Sequence, residues 1–151
     1  MSRTWKLVVV RLALLAAVLL SACSVIVRID VTGEWSGTLL WTTGPQAGFT
    51  GPISLSLVHD GRDATGIVTL MGPGSRPFDL TILDGIAEGR TIEILATGTL
   101  DLDTSSIEVT ILLEGDFDEQ NMSGTGSQSF EGSSYEFTWE LVRISGPPTE
   151  G

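Results

Sequence analysis

Apolar and polar residues alternate along most of the chain after residue 33, and no segment there shows a sustained helical period. Val, Ile and Thr are common in these segments, and clusters of Gly, Pro, Asp and Ser separate them at intervals of about 12 residues. The pattern predicts eight strands, with approximate bounds 33–42, 50–59, 64–71, 77–86, 89–99, 105–113, 119–130 and 134–145. An eight-strand meander with short connections closes into an antiparallel up-and-down β-barrel, which is the all-β fold that we expect.

Tight turns are predicted where Asp stands beside Gly. Asp60-Gly61 and Asp84-Gly85 supply residues that tolerate the positive φ of short hairpins, and Gly115 beside Asp116 offers the same property.

The strand facing is clearest in the sixth and eighth strands. One face of these strands is apolar and carries Ile107, Val109, Ile111 and Leu113 in the sixth and Tyr135, Phe137, Trp139 and Leu141 in the eighth. Glu108, Glu136 and Glu140 lie on the opposite face, where contact with lipid would be costly. We therefore expect an apolar interior and a wet exterior, and we reject a membrane pore.

Length and charge narrow the class of protein. The chain has 151 residues, 42% of them hydrophobic and 18% charged, which fits one globular domain. After the single cysteine, Cys23, the chain holds five arginines, no lysine and all 19 acidic residues, giving a net charge of −14. Such a surface repels phosphate, so we expect no nucleic-acid partner. One cysteine also excludes an internal disulfide framework.

The first 22 residues have the pattern of a secretory signal. Arg3, Lys6 and Arg11 are basic, and the apolar run 12–20 that follows is far shorter than the roughly 20 residues needed to span a bilayer. Leu20-Ser21-Ala22-Cys23 resembles the lipobox of bacterial lipoproteins. The resemblance implies cleavage before Cys23 and acylation of Cys23, which would anchor the chain in a lipid bilayer. An ordinary cysteine after a non-lipidated signal is the alternative.

The lipobox resemblance determines the cellular localisation and the domain organisation that we expect. Ser24, instead of Asp, follows the cysteine, which in that family favours the outer membrane of a two-membrane host; otherwise the outer face of the cell membrane is expected. The predicted organisation is a signal peptide over 1–22, an acylated cysteine and short tether over 23–32, a barrel over 33–145 and a tail over 146–151.

Gly33-Glu34-Trp35 resembles the G-x-W at the start of the first strand of lipocalins and their calycin relatives. Those barrels also pack an arginine of the last strand across that tryptophan, and Arg143 suits this role. If the first and eighth strands pair with Trp35 opposite Arg143, then Leu39 lies opposite Trp139. A core tryptophan and an unrelated surface arginine are the alternative. The chain departs from the family in lacking its middle motif and its C-terminal helix.

The lipocalin resemblance and the meander together predict a barrel that is open to a ligand at one end only. The connections 41–50, 71–77, 100–106 and 130–134 lie at one end, and the first two are rich in Gly and Pro, which favours an opening there. Gly124 and Gly126 would leave space inside, or would merely permit barrel curvature. The ligand-lining candidates, for each of which core packing is the alternative, are Leu39, Trp41, Leu55, Leu57, Ile67, Phe137 and Trp139.

No motif for catalysis, cofactor or metal binding emerges. We predict that His59, the only histidine, is a solvent-exposed turn residue beside Asp60-Gly61. The acidic residues in 101–103 and 116–119 do not have the spacing of a calcium loop. We expect no enzymatic activity and no cofactor. Two functions stay open: a lipoprotein that binds a small apolar or amphiphilic ligand, or a structural lipoprotein with a solidly packed barrel that contacts an envelope protein. A cavity above about 300 Å³ would favour the first.

Overall fold

The computed structural model describes residues 28–147, which form one closed antiparallel barrel. Each strand pairs with its neighbours in sequence, and the first strand pairs with the eighth. The strands are β1 Gly33–Trp41, β2 Thr50–Asp60, β3 Asp63–Met71, β4 Pro77–Glu88, β5 Thr91–Asp101, β6 Ser106–Phe117, β7 Asn121–Phe130 and β8 Ser133–Ser145. The predicted eight-stranded up-and-down barrel is confirmed.

Helical structure is slight in this part of the chain. A 3₁₀ turn, Pro73–Ser75, lies between β3 and β4. Within residues 28–147, no helix has both the length and the apolar character that crossing a membrane requires.

The closing seam between β1 and β8 has the predicted register. Trp35 lies opposite Arg143 and Leu39 lies opposite Trp139. A register shift between Glu34 and Trp35 marks a β-bulge at the start of the seam.

The apolar face of every strand lies inside the barrel, as β6 and β8 illustrate. Phe137, Trp139 and Leu141 of β8 are buried, whereas Glu136 and Glu140 between them are exposed. Among residues 28–147, no polar or charged residue is buried and no buried side-chain polar atom lacks a hydrogen bond. All eight strands pair on both sides, and these pairings and the packed residues before β1 all lie within residues 28–147.

Two of the predicted turns are not turns. Asp60-Gly61 does form the β2–β3 hairpin, with Gly61 at φ 67°. Asp84-Gly85 lies within β4, which continues to Glu88 and turns at Gly89, φ 64°. Gly85 is needed for a different reason: a Cβ there would overlap the carbonyl oxygen of Ala64 on β3. Gly115 likewise lies within β6, opposite Gly124 of β7.

Ile67 faces outward, contrary to its prediction as a lining residue. It is 41% exposed and pairs with the exposed Ser56, whereas Val68 is buried and pairs with the buried Leu55. Directly paired residues share one face of a sheet, so the pairing with β2 decides the facing of β3. In the run Ile67-Val68, where two apolar residues are adjacent, the sequence alternation alone does not distinguish the two faces.

The segment just before β1 closes one end of the barrel. The segment 23–32 was predicted as a tether, and its residues 23–27 lie outside the described residues. In the described part of this segment, Val31 is fully buried and Ile29 packs against the core. The indole N–H of Trp35 donates to the carbonyl oxygen of Val31 at 2.9 Å. We call this end, with residues 29–32, Trp35 and Arg143, the floor.

Arg143 holds the floor together. Its guanidinium carbon lies 4.3 Å from the centroid of the Trp35 ring. Its nitrogens donate to the carbonyl oxygens of Asp30, Thr32 and Glu119 at 2.6, 2.8 and 2.7 Å. The pair that the lipocalin resemblance implied is therefore in contact, as cation–π geometry requires.

We expect Arg143→Ala to lower the free energy of unfolding by about 2–4 kcal/mol, because charge-assisted hydrogen bonds and a cation–π contact are lost together. Arg143→Lys should recover only part of this, since an ammonium cannot reproduce the planar set of donors. Urea unfolding measures both. Arg76→Ala is the matched control: its guanidinium is highly exposed, and it should change stability by less than about 0.5 kcal/mol. Equal losses of unfolding free energy in Arg143→Ala and Arg76→Ala would contradict the role of Arg143 in stabilising the floor.

Candidate functional site

A cavity of about 450 Å³ opens at the end of the barrel opposite the floor. This end, which we call the mouth, is bounded by the β1–β2, β3–β4, β5–β6 and β7–β8 connections, the four connections that the sequence placed together. The wall is mainly apolar, with side chains from Leu39, Trp41, Leu70, Met71, Phe78, Leu100, Leu102, Ile107, Val109 and Phe130. The polar side chains of the wall are those of Thr43, Gln46, Gln128 and Tyr135.

The lining candidates divide into three groups. Leu39 and Trp41 line the cavity. Leu55, Leu57, Phe137 and Trp139 lie inside the barrel in the packed core and are not part of the cavity wall. Ile67 is on the outer face.

The boundary between packed core and cavity is formed by aromatic rings. Trp41 and Phe137, which are opposite each other on β1 and β8, meet edge to face with their centroids 5.1 Å apart. Such contacts add to the stabilisation from burial. Because Trp41 lines the cavity and Phe137 belongs to the packed core, this contact lies where the filled lower part of the barrel meets the hollow upper part.

The glycines of β7 do not enlarge the cavity, which was one of the two alternatives that the sequence left open for them. A Cβ on Gly126 would lie 2.6 Å from the Phe137 ring, so the ring occupies the space that a side chain would take. A Cβ on Gly115 of β6 would lie 2.8 Å from Trp139, and one on Gly124 would overlap the backbone of β6. These glycines allow the two aromatic rings and the neighbouring strands to pack closely, which fits the curvature alternative.

The β1–β2 connection is fixed over the mouth. The N–H groups of Thr42 and Thr43 both donate to the carbonyl oxygen of Glu136, and the N–H of Glu136 donates to the Thr43 hydroxyl at 2.7 Å. Gly44, at φ 81°, lies against the ring of Tyr135, where any Cβ would overlap it. Tyr135 in turn lies 5.3 Å from Phe130, centroid to centroid. One side of the mouth is therefore preformed.

His59 belongs to the floor and is not the exposed turn residue that was predicted. Its side chain is only 9% exposed. Its Nδ1 lies 3.4 Å from the Val31 nitrogen and its Nε2 lies 3.1 Å from the carbonyl oxygen of Ala87. The backbone N–H of His59 also donates to the Thr32 hydroxyl. The prediction was wrong because the segment before β1 folds back over the β2 end and covers the ring.

Asp30 adds a charged group to the edge of the floor. Its burial raises the pKa, but hydrogen bonds from Thr32 and the electrostatic influence of His59 and Arg143 outweigh this, so the pKa of Asp30 lies below its usual value. A lowered pKa stabilises the fold above the unfolded carboxyl's pKa, and this contribution is lost as the pH falls through the folded value.

The acidic connection after β6 is stabilised internally. The Asp118 carboxylate accepts the N–H groups of Gln120 and Asn121, which lowers the pKa of Asp118. Within residues 28–147, no group of three or more His, Cys, Asp or Glu residues is placed to hold a metal ion.

Comparison of the chain with models of protein families, with curated proteins and with solved structures finds no match.

Several residues of the cavity wall were missing from the sequence prediction. Ile107, Val109 and Tyr135 had been placed on the inward faces of β6 and β8, but were not linked to the mouth. Distance along the strand is the signal that could have found them: inward residues near the four connections at the mouth line the cavity, and those near the floor fill the core.

We expect Gly126→Ala to lower the free energy of unfolding by about 1–3 kcal/mol, because its methyl group would overlap the Phe137 ring and the Leu112 carbonyl oxygen, 2.7 Å away. Gly51→Ala is the control, because a Cβ there meets only Leu39, at 3.9 Å. Thermal unfolding compares the two variants. A Gly126→Ala domain as stable as Gly51→Ala would show that the rings do not depend on this glycine.

Proposed function

We propose that the protein is a lipid-anchored protein of the cell envelope that binds a small apolar or amphiphilic molecule in its barrel. The observation that carries the proposal is the cavity of about 450 Å³ at the mouth. Its volume lies within the roughly 300–1,000 Å³ of small-molecule sites, and its wall is apolar with a few polar groups, as in such sites. A solidly packed barrel would have no such space.

The groups around the cavity support binding and not catalysis. Its polar side chains are two amides, one threonine hydroxyl and one phenol. Among residues 28–147, the wall includes no histidine, cysteine, carboxylate or lysine, so no nucleophile stands beside a base there. We assign the cavity a binding role without a chemical step.

A lipocalin-like origin is part of the proposal. It is supported by the closed eight-stranded barrel and by the stacking of Arg143 on Trp35 across the β1–β8 seam. The G-x-W at Gly33–Trp35 starts the first strand, as it does in that family.

An interaction with an envelope protein is the second candidate. Phe49 is 67% exposed and Met71 is 43% exposed, and both lie in or next to connections at the mouth. Apolar side chains at an opening serve either as an entrance for a ligand or as contacts for a partner. Because the upper part of the barrel is hollow, an entrance for a ligand is the better supported of these two uses.

The proposed anchor determines how the barrel would stand on a membrane. If Cys23 is acylated, only five residues, Ser24 to Arg28, separate it from Ile29 of the floor. Five residues span at most about 17 Å. The floor would therefore face the bilayer that holds the anchor, and the mouth would face away from it.

Ligand binding is tested with the neutral apolar dye N-phenyl-1-naphthylamine and the domain 24–151. We expect saturable binding at one site. Ile107→Trp should abolish it by filling the cavity, whereas Ile67→Trp, a matched change on the outer face, should leave it unchanged. A dye that fails to bind, or that binds Ile107→Trp as well as it binds the wild type, would contradict the proposal.

Anchoring is tested by producing the full chain in a bacterium and separating membranes from soluble protein. We expect the chain in the membrane fraction with an added acyl mass on Cys23, because each buried CH₂ contributes about 0.8 kcal/mol. Cys23→Ser should move it to the soluble fraction, and Ser24→Ala should not. Membrane retention of Cys23→Ser after a salt wash would contradict acylation as the anchor.

A further inference from the structure

We infer that the cavity selects uncharged amphiphiles, with an apolar body and one neutral hydrogen-bonding head, over ligands of the same size that carry a carboxylate or a phosphate. The inference rests on the proposed binding function and adds the chemical class of the ligand. A long-chain alcohol or a glycerol monoester has this chemistry; a fatty-acid anion or a phospholipid does not.

The interior of the cavity supports a neutral head. In the part of the chain that the structure describes, no wall residue is charged. The polar side chains of the wall are the amides of Gln46 and Gln128, the Thr43 hydroxyl and the Tyr135 phenol. These groups both donate and accept hydrogen bonds, which matches a hydroxyl or an ester. A carboxylate taken out of water among them would have no cation to compensate its desolvation, and that cost is high.

The positions of the arginines remove the other source of a cation. All five arginines that follow Cys23 lie within residues 28–147, and no lysine does. Arg62 and Arg90 belong to turns at the floor end, Arg28 precedes the floor and Arg143 is bound within it. Arg76 is left at the mouth, and it already lies 3.8 Å from a carboxylate oxygen of Asp103.

Three acidic side chains lie beside the opening, on two of its four connections. Asp101 ends β5, Asp103 follows it in the β5–β6 connection, and Glu131 lies in the β7–β8 turn. All three are exposed and none belongs to the cavity wall. Their field disfavours the approach of an anion.

Two ligands with one chain length isolate the effect of the head. Dodecan-1-ol below its solubility limit and dodecanoate below its micelle concentration compete with the neutral dye for the domain 24–151 at pH 8 and low salt. We expect dodecan-1-ol to displace the dye at a concentration about tenfold or more below that of dodecanoate. Dodecanoate binding as tightly as the alcohol would overturn the inference and leave the proposed function standing.

A gain of anion binding gives the complementary test. Gln128→Lys places a cation in the wall and should make dodecanoate the preferred ligand, whereas the neutral control Gln128→Met should not. An unchanged preference in Gln128→Lys, with dye binding retained, would overturn the inference. Failure of the wild-type domain to bind the dye at all would instead overturn the proposed function, so the two failures are distinguishable.

Discussion

The guanidinium of Arg143 joins three separate parts of the chain beneath the barrel. It stacks on Trp35 of β1, donates to the backbone of Asp30 and Thr32 before that strand, and donates to Glu119 in the β6–β7 turn. Arg143 itself lies on β8, so this one side chain ties the first strand to the last at the place where the sheet closes. A barrel has no free edges only while that seam holds.

The floor also gives the barrel two unlike ends. Below, Val31 and Trp35 are fully buried and His59 is fixed by hydrogen bonds on both ring nitrogens. Above, the four connections of the mouth surround a cavity of about 450 Å³. An eight-stranded barrel is only just wide enough for its own side chains. The space for a ligand therefore lies near the mouth, above the packed core. The proposed anchor precedes the closed end, so attachment to a membrane and access to the cavity would use opposite ends of the molecule.

The sequence predicted much of this architecture because a barrel has few degrees of freedom. Alternation of period two determined the strands and the facing of β6 and β8, and closure of the meander determined that β1 meets β8. The pairing of Trp35 with Arg143 then followed from counting residues. The errors arose where long-range contacts override local pattern: Ile67 was assigned to the wrong face beside the equally apolar Val68, and Asp84-Gly85 is a strand segment that passes close to β3.

The cavity was harder to predict than the fold because side-chain packing, which the local sequence pattern does not show, decides which parts of the interior are filled. Gly126 shows this: its missing side chain is replaced by the ring of Phe137, which no local pattern reveals. His59 was misplaced for a related reason, since the segment that covers it comes from 28 residues earlier in the chain. The outline of the barrel follows from the sequence, whereas its filled and hollow parts follow only from packing.

In the proposed binding mode, the upper part of this barrel holds a ligand while the floor stays closed. A crystal structure of the domain 24–151 grown with 12-bromododecan-1-ol would locate the ligand, because bromine scatters anomalously and marks the end of the alkyl chain. We expect one strong bromine peak inside the barrel beside Leu39 and Val109, with the hydroxyl among the polar groups at the mouth. Bromine found only on the outer face, for example against the exposed Leu83, or a cavity closed by its own side chains, would contradict it.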